Sequence, residues 1–200
     1  MIEWITGMVD SGGLPGVFAL MFLENLFPPI PSELIMPLAG FVAAEGRMSL
    51  PLAILAGTAG SVIGNGLWFE VARRIGSTRI RRLVGRHGRW FAVSTGDLDK
   101  AEGRLRRHGP VALFFGRLLP AIRTLISIPA GLAGIPRGVF YGWTLVGSGL
   151  WVSALTVAGY LLRDQYKKIE SAIEPLGYVV VVAIVLAYLW HVFKARRRRA

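Results

Sequence analysis

The apolar positions fall in blocks, and the blocks have two kinds of length. Residues 51–72 form a largely apolar block of 22 residues with one charge, Glu70, near the end, and residues 138–162 a block of 25 with none. Residues 176–193 add 18 more, with His191 the one ionisable group. At 1.5 Å per residue each block is long enough to cross about 30 Å of hydrocarbon, so the pattern predicts three transmembrane helices. Two further apolar stretches are interrupted. Residues 14–44 carry Glu24, Pro28, Pro29, Pro31 and Glu33 in their middle, and residues 110–136 carry Arg117, Pro120 and Arg123. The interruptions leave arms of about ten residues, too short to span alone. Proline removes a backbone donor and breaks a helix, and a broken backbone survives at membrane depth only where protein or a wet cavity shields it. Both stretches therefore read as re-entrant helical hairpins broken at Pro28, Pro29, Pro31 and Pro120; the plain alternative is a kinked ordinary span.

Charge sets the orientation. Between Arg73 and Arg107 there are 11 Lys/Arg against three acids, and the tail at 194–200 adds five more basic residues. The loop at 163–174 is balanced, with three of each sign. The positive-inside rule places the basic segment 73–109 and the tail in the cytoplasm. The chain then reads as an all-α integral membrane protein: one membrane domain over 1–193, with two oppositely oriented re-entrant hairpins, each followed by a transmembrane helix, and a C-terminal transmembrane helix. An internal offset agrees with an inverted repeat, because Pro28 and Pro37 lie 92 residues before Pro120 and Pro129, and Glu24 lies 93 before Arg117. Broken helices meeting at the midplane of inverted repeats are a recurring transporter plan.

Composition excludes several chemistries. The chain has 200 residues, 53% hydrophobic and 18% charged, with a mean hydropathy of +0.51, which is too apolar for an ordinary soluble domain. Cysteine is absent, which removes disulfides, thiol catalysis and thiolate metal sites. His87, His108 and His191 show no metal-ligand spacing, and no cofactor is implied. Glu3 and Asp10 precede the first apolar run, unlike a secretory signal. The net charge of +11 is explained by cytoplasmic loops rather than by nucleic acid. The arginine-rich stretch 79–91, with Ile80, Leu83, Val84 and Phe91, reads as an amphipathic helix on anionic lipid.

The intramembrane charges carry the functional information. Each costs about 2.5–3.5 kcal/mol or more at the bilayer centre, so four unpaired ones would cost on the order of 10 kcal/mol. Glu24 and Glu33 on one hairpin should therefore meet Arg117 and Arg123 on the other, in a cluster that pins the hairpins together or serves a ligand. Guanidinium forks bind phosphate oxygens bidentately and stay protonated, so the arginines are the candidate phosphate site. The acids would neutralise them when the site is empty, and protonating Glu24 or Glu33 would free them, linking binding to a proton gradient. Gly57, Gly60, Gly64 and Gly66 make a small-residue face suited to close helix packing, with Gly142, Gly147 and Gly149 as counterparts. Asn65 within that face is expected to form interhelical hydrogen bonds.

These residues resemble a known family. The run Glu24-Asn25-Leu26-Phe27-Pro28-Pro29-Ile30-Pro31-Ser32-Glu33 is similar to the first signature of the DedA family of bacterial membrane proteins, also called the VTT or "SNARE-associated" domain. Phe115-Gly116-Arg117-Leu118-Leu119-Pro120-Ala121-Ile122-Arg123 resembles its second, F-x-R-x-x-P-x-x-R. The likeness covers about residues 14–162. Many members carry Asp where this chain has Glu33. The resemblance implies lipid translocation in the bacterial cytoplasmic membrane: recycling of undecaprenyl phosphate, the cell-wall carrier, with phosphatidylethanolamine flipping or scrambling as the alternative. It also implies that the acidic and arginine pairs are essential and that transport depends on the proton-motive force. A membrane phosphatase or an ion/proton antiporter fits less well, because no nucleophile or general base stands out and two arginines would repel cations. Homo-oligomerisation is left open.

Overall fold

The computed structural model describes residues 2–26, 32–87, 95–118, 123 and 125–162, and every regular element among them is helical. The elements are α1 (Ile2–Leu26), α2 (Ser32–Ala44), α3 (Leu50–Ile75), α4 (Ser77–His87), α5 (Thr95–Leu118), α6 (Ser127–Leu132) and α7 (Arg137–Leu161). The expected hairpin breaks at Pro28, Pro29, Pro31 and Pro120, the span 176–193, the balanced loop and the basic tail lie outside the described residues.

Among the described residues three helices are long and apolar enough to cross a membrane: Trp4–Leu26, Leu50–Ile75 and Arg137–Leu161. The latter two coincide with the predicted blocks at 51–72 and 138–162. The chain is a multi-pass membrane protein, and the leucine, valine and isoleucine side chains left exposed along α3 and α7 give those helices apolar outer faces. Local chemistry sets their ends. Proline occupies the first turn of α3, where its missing N–H costs nothing. Arg73 and Arg74 lie in the last turn against the negative end of the helix dipole, and Gly76 closes it with φ 80° and its N–H on the Ala72 carbonyl.

The first of the three long helices is not straight. Gly13 takes φ 55° and ψ −137°, a conformation open to glycine, and interrupts α1. In a straight helix residues 8 and 16 would be about 12 Å apart. Here the Met8 carbonyl lies directly against Gly16, where a Cβ would collide with it. The segment before Gly13 therefore folds back on the segment after it. What remains, 14–26, is an arm of about 20 Å. The 13-residue α2 is similar in length and packs against α1. Arg47, just beyond α2, bonds Asp10 at 3.2 Å, which brings the outer ends of the two arms together. The later stretch is built alike: α5 breaks at His108, two residues before Pro110, and a side chain at Gly109 would meet Ile135 beyond α6 at 3.9 Å.

Packing between helices is reciprocal. α1 packs along α3, and α5 along α7; α2 packs on α7, and α6 on α3; α3 and α7 cross each other. Small residues allow these approaches. A Cβ at Gly40 would strike the Thr156 carbonyl, and one at Gly159 the Pro37 carbonyl, so α2 and α7 touch backbone to backbone. Gly60 does the same against the Phe18 carbonyl, Gly64 lies against Asn25, and Gly57 faces Met36. One apolar core gathers Val17, Leu20, Met21, Ile35, Met36 and Val152 between α1, α2 and α7. A second holds Phe69 stacked on Phe140, ring centroids 3.9 Å apart, with Leu113 and Ala130. The buried charged residues touch both cores, since Val152 lines their cavity and Phe140 lies against Arg117.

Candidate functional site

Glu24 sits at the inner end of α1, Asn65 in the middle of α3, Arg117 at the inner end of α5, and Arg123 just before α6. The packing described above brings all four together, although up to 99 residues separate them in sequence. Arg117 is 1% exposed, Glu24 3% and Arg123 8%.

Arg123 donates from Nη2 to Glu24 Oε1, a buried ion pair joining the two interrupted stretches. Its guanidinium carbon also lies 5.8 Å from the centre of the Trp151 ring, within range of the ring's negative face. Arg117 is held differently. Nη1 donates to Asn65 Oδ1 and to the Arg123 carbonyl, and Nη2 to Ser127 Oγ at 3.0 Å and Thr144 Oγ1 at 3.1 Å. Its Nε has no partner among the described residues, and Phe140 lies 5.4 Å from its guanidinium carbon. No carboxylate among the described residues pairs with Arg117. Four charge-assisted bonds offset the insertion cost of this buried cation, which only neutral oxygens hold among the described residues. Gly147 gives the side chain its room, since a Cβ there would lie 2.8 Å from Arg117 Cβ.

Two amides link the arginines. Asn25 Nδ2 donates to Glu24 Oε2 at 2.7 Å, to the Met21 carbonyl at 2.7 Å and to Ser61 Oγ at 3.2 Å. Asn65 Nδ2 donates to Asn25 Oδ1 and to the Ser61 carbonyl, while Asn65 Oδ1 accepts from Arg117 and from Ser127 Oγ. The result is a closed ring: Arg123 to Glu24, Asn25, Asn65, Arg117 and back to the Arg123 carbonyl. Asn25, Ser61, Asn65, Arg117, Arg123 and Ser148 line a cavity of about 10 Å³, on the order of what one water needs. A phosphate fits only if the ring opens.

Glu33 lies near enough to Glu24 for their charges to act on each other, but it does not join the buried part of the expected four-charge cluster. It lies in the first turn of α2, is exposed, and makes no ion pair among the described residues. Among the described residues the buried cluster thus contains one carboxylate (Glu24) and two guanidiniums (Arg117 and Arg123), a formal net +1 with all three ionised. Sequence reasoning did not single out Asn25, Ser61, Ser127 or Thr144 as partners; an isolated small polar residue in an apolar helix is too common a signal. Among the described residues no group of three His, Asp or Glu could hold a metal ion.

On the cytoplasmic side predicted from charge, Arg137 grips Glu70 with two bonds of 2.7 and 2.8 Å, joining the start of α7 to the end of α3. In the basic segment, Arg81 bridges Asp99 at 2.5 Å and Glu102 at 2.8 Å, tying α4 to α5, while Arg73, Arg74, Arg79 and Arg82 remain exposed.

Residues 30–161 match the family described as VTT domain. The chain is 28% identical to undecaprenyl phosphate transporter A of Staphylococcus aureus, covering 100% of this chain and 99% of the relative. It is 26% identical to undecaprenyl phosphate transporter A of Bacillus subtilis, over 98% and 93% of the two chains. It is 35% identical to an alkaline phosphatase-like protein of Lactococcus lactis subsp. lactis, over 94% and 89%. No solved structure matches.

Proposed function

The chain belongs to the VTT-domain (DedA) family of membrane proteins, and from that premise we propose that it moves undecaprenyl phosphate across the bacterial cytoplasmic membrane by drawing the headgroup onto Arg117 and Arg123. One observation carries the reading: among the described residues the buried cluster has a formal net charge of +1, and Arg117 has neutral partners only. A cation buried in that way is held ready for an anion. A monophosphate brings more charge than the phosphodiester of a phospholipid and suits two guanidiniums better. The prenyl tail stays in lipid, along the apolar outer faces of α3 and α7. Two full-length relatives are named undecaprenyl phosphate transporter A, which points the same way.

The proposed architecture is a pair of inverted repeats, each a re-entrant hairpin and a transmembrane helix. The reciprocal packing supports it, since each first arm lies on its own long helix and each second arm on the other repeat's. So do equivalent contacts. Asn25 bonds Ser61 and abuts Gly64; Arg117, 92 positions later, bonds Thr144 and abuts Gly147, both 83 positions later. The basic loop and tail face the cytoplasm in this scheme, with the exposed arginines of α4 against anionic headgroups.

The donor set favours transport over hydrolysis. Guanidiniums, amides and hydroxyls hold a phosphate, whereas cleaving it calls for an activated nucleophile or a metal-bound water. Protonation of Glu24 would release Arg123 from its ion pair and open the ring to the headgroup. Glu33, exposed at the start of α2, is placed to pass that proton. In proteoliposomes, undecaprenyl phosphate should therefore flip faster than phosphatidylethanolamine, and an imposed pH gradient should change its rate. Equal movement of both lipids would make the protein a general scramblase. Indifference to the gradient would remove the coupling, and phosphate release from the lipid would make the protein an enzyme.

A further inference from the structure

The hydrogen-bond ring has a member whose role is neither charge nor simple helix packing. Asn65 belongs to α3, yet its amide touches α1, α5 and the residue that opens α6. Its orientation is not free. The Ser61 carbonyl 2.8 Å away only accepts, so Nδ2 must face it and Oδ1 must face Arg117. Asn25 is fixed in the same way by the Met21 carbonyl, which turns its Oδ1 toward Asn65. Gly64 and Gly66 flank Asn65 and admit Asn25 and Tyr141 at close range, so the α3 backbone comes near enough for a short amide to reach three neighbours.

We propose that Asn65 is the positioning residue for Arg117. Its Oδ1 aims the guanidinium while adding no charge, and with Asn25 it joins the Arg117 half of the site to the Glu24–Arg123 half. An acceptor oxygen at this place orients the fork and yields it to the incoming phosphate. Four neutral acceptors hold Arg117, but Ser127 Oγ itself donates to Asn65 Oδ1, so the same oxygen also sets one of the other three. Loss of Asn65 therefore disturbs the aim of Arg117 through two contacts at once. The inference rests on Arg117 being part of the phosphate site.

The test is flipping of undecaprenyl phosphate in proteoliposomes as a function of lipid concentration, for the full chain carrying Asn65→Leu, Asn65→Asp, Arg117→Lys, and Asn65→Leu with Arg117→Lys. Thermal unfolding in detergent is followed alongside. Asn65→Leu should raise the half-saturating lipid concentration at least tenfold, and Asn65→Asp, which keeps an acceptor at Oδ1, should recover most of that loss. Because both changes act through one guanidinium, the double variant should be no worse than Arg117→Lys alone. Should the leucine leave too many buried groups unpaired to fold, Asn65→Ser replaces it, its hydroxyl stopping short of Arg117. A folded Leu or Ser variant with wild-type half-saturation overturns the inference. So does an Asp variant as impaired as the deletion, or a double variant whose losses multiply. If Arg117→Lys by itself leaves transport unchanged, the phosphate-site reading fails and the inference with it.

Discussion

Replacing Arg117 with alanine is expected to lower undecaprenyl phosphate flipping by about 100-fold or more while leaving the protein folded. A bidentate guanidinium–phosphate contact at about 3 kcal/mol corresponds to two factors of ten in affinity. The stability change is smaller, because the deletion removes the insertion cost of a buried cation along with its bonds. It leaves Asn65 Oδ1, Ser127 and Thr144 with one partner fewer, but each is a neutral group, and Ser127 and Asn65 retain each other. Arg117→Lys separates charge from geometry. It keeps the cation and loses the fork, and cannot replace four directed bonds with three donors on a flexible stem. Transport rates with unfolding midpoints measured on the same preparations check this. Parallel losses in both would reduce Arg117 to a structural residue.

Arg123→Ala should differ from Arg117→Ala in carrying a large cost in stability. Its removal strands Glu24 as a carboxylate 3% exposed between two packed helices, and breaking a buried pair from one side costs about 3–5 kcal/mol. Asn25 still donates to Glu24 Oε2, which softens the loss without supplying charge. Adding Glu24→Ala removes the stranded charge, so the double variant should be more stable than Arg123→Ala alone. Unfolding midpoints in one detergent for the two single variants and the double variant decide it. If the double variant is as unstable as the sum of the singles, Glu24 and Arg123 are not coupled through the bond that joins the two interrupted stretches.

The long helices were legible because hydropathy and length are local properties. The blocks at 51–72 and 138–162 needed no tertiary information. Glu24, Arg117 and Arg123 also stood out, since a charge in an apolar run demands a partner or a ligand. Which charge meets which was not legible. Glu33 resembled Glu24 in type and in its place beside the prolines, but it opens α2 on the outward side, and one residue of helical phase, about 100°, settles that. The neutral shell of Arg117 was hidden for a different reason. Asn65, Ser127 and Thr144 lie 52, 10 and 27 residues away and converge only when α3, α6 and α7 pack. The fold-back at Gly13 was equally obscure, because an apolar run reads the same whether it is straight or bent.

The proposed transport depends on recognition of a lipid phosphate by two buried guanidiniums. Binding of undecaprenyl phosphate and of undecaprenol, the same chain without phosphate, to the purified protein in detergent tests it most directly, with Arg117→Ala beside the wild type. The wild type should retain the phosphate form at concentrations where the alcohol does not bind, and Arg117→Ala should lose this preference. Equal binding of the two lipids by the wild type, or a preference that survives the loss of Arg117, would contradict it.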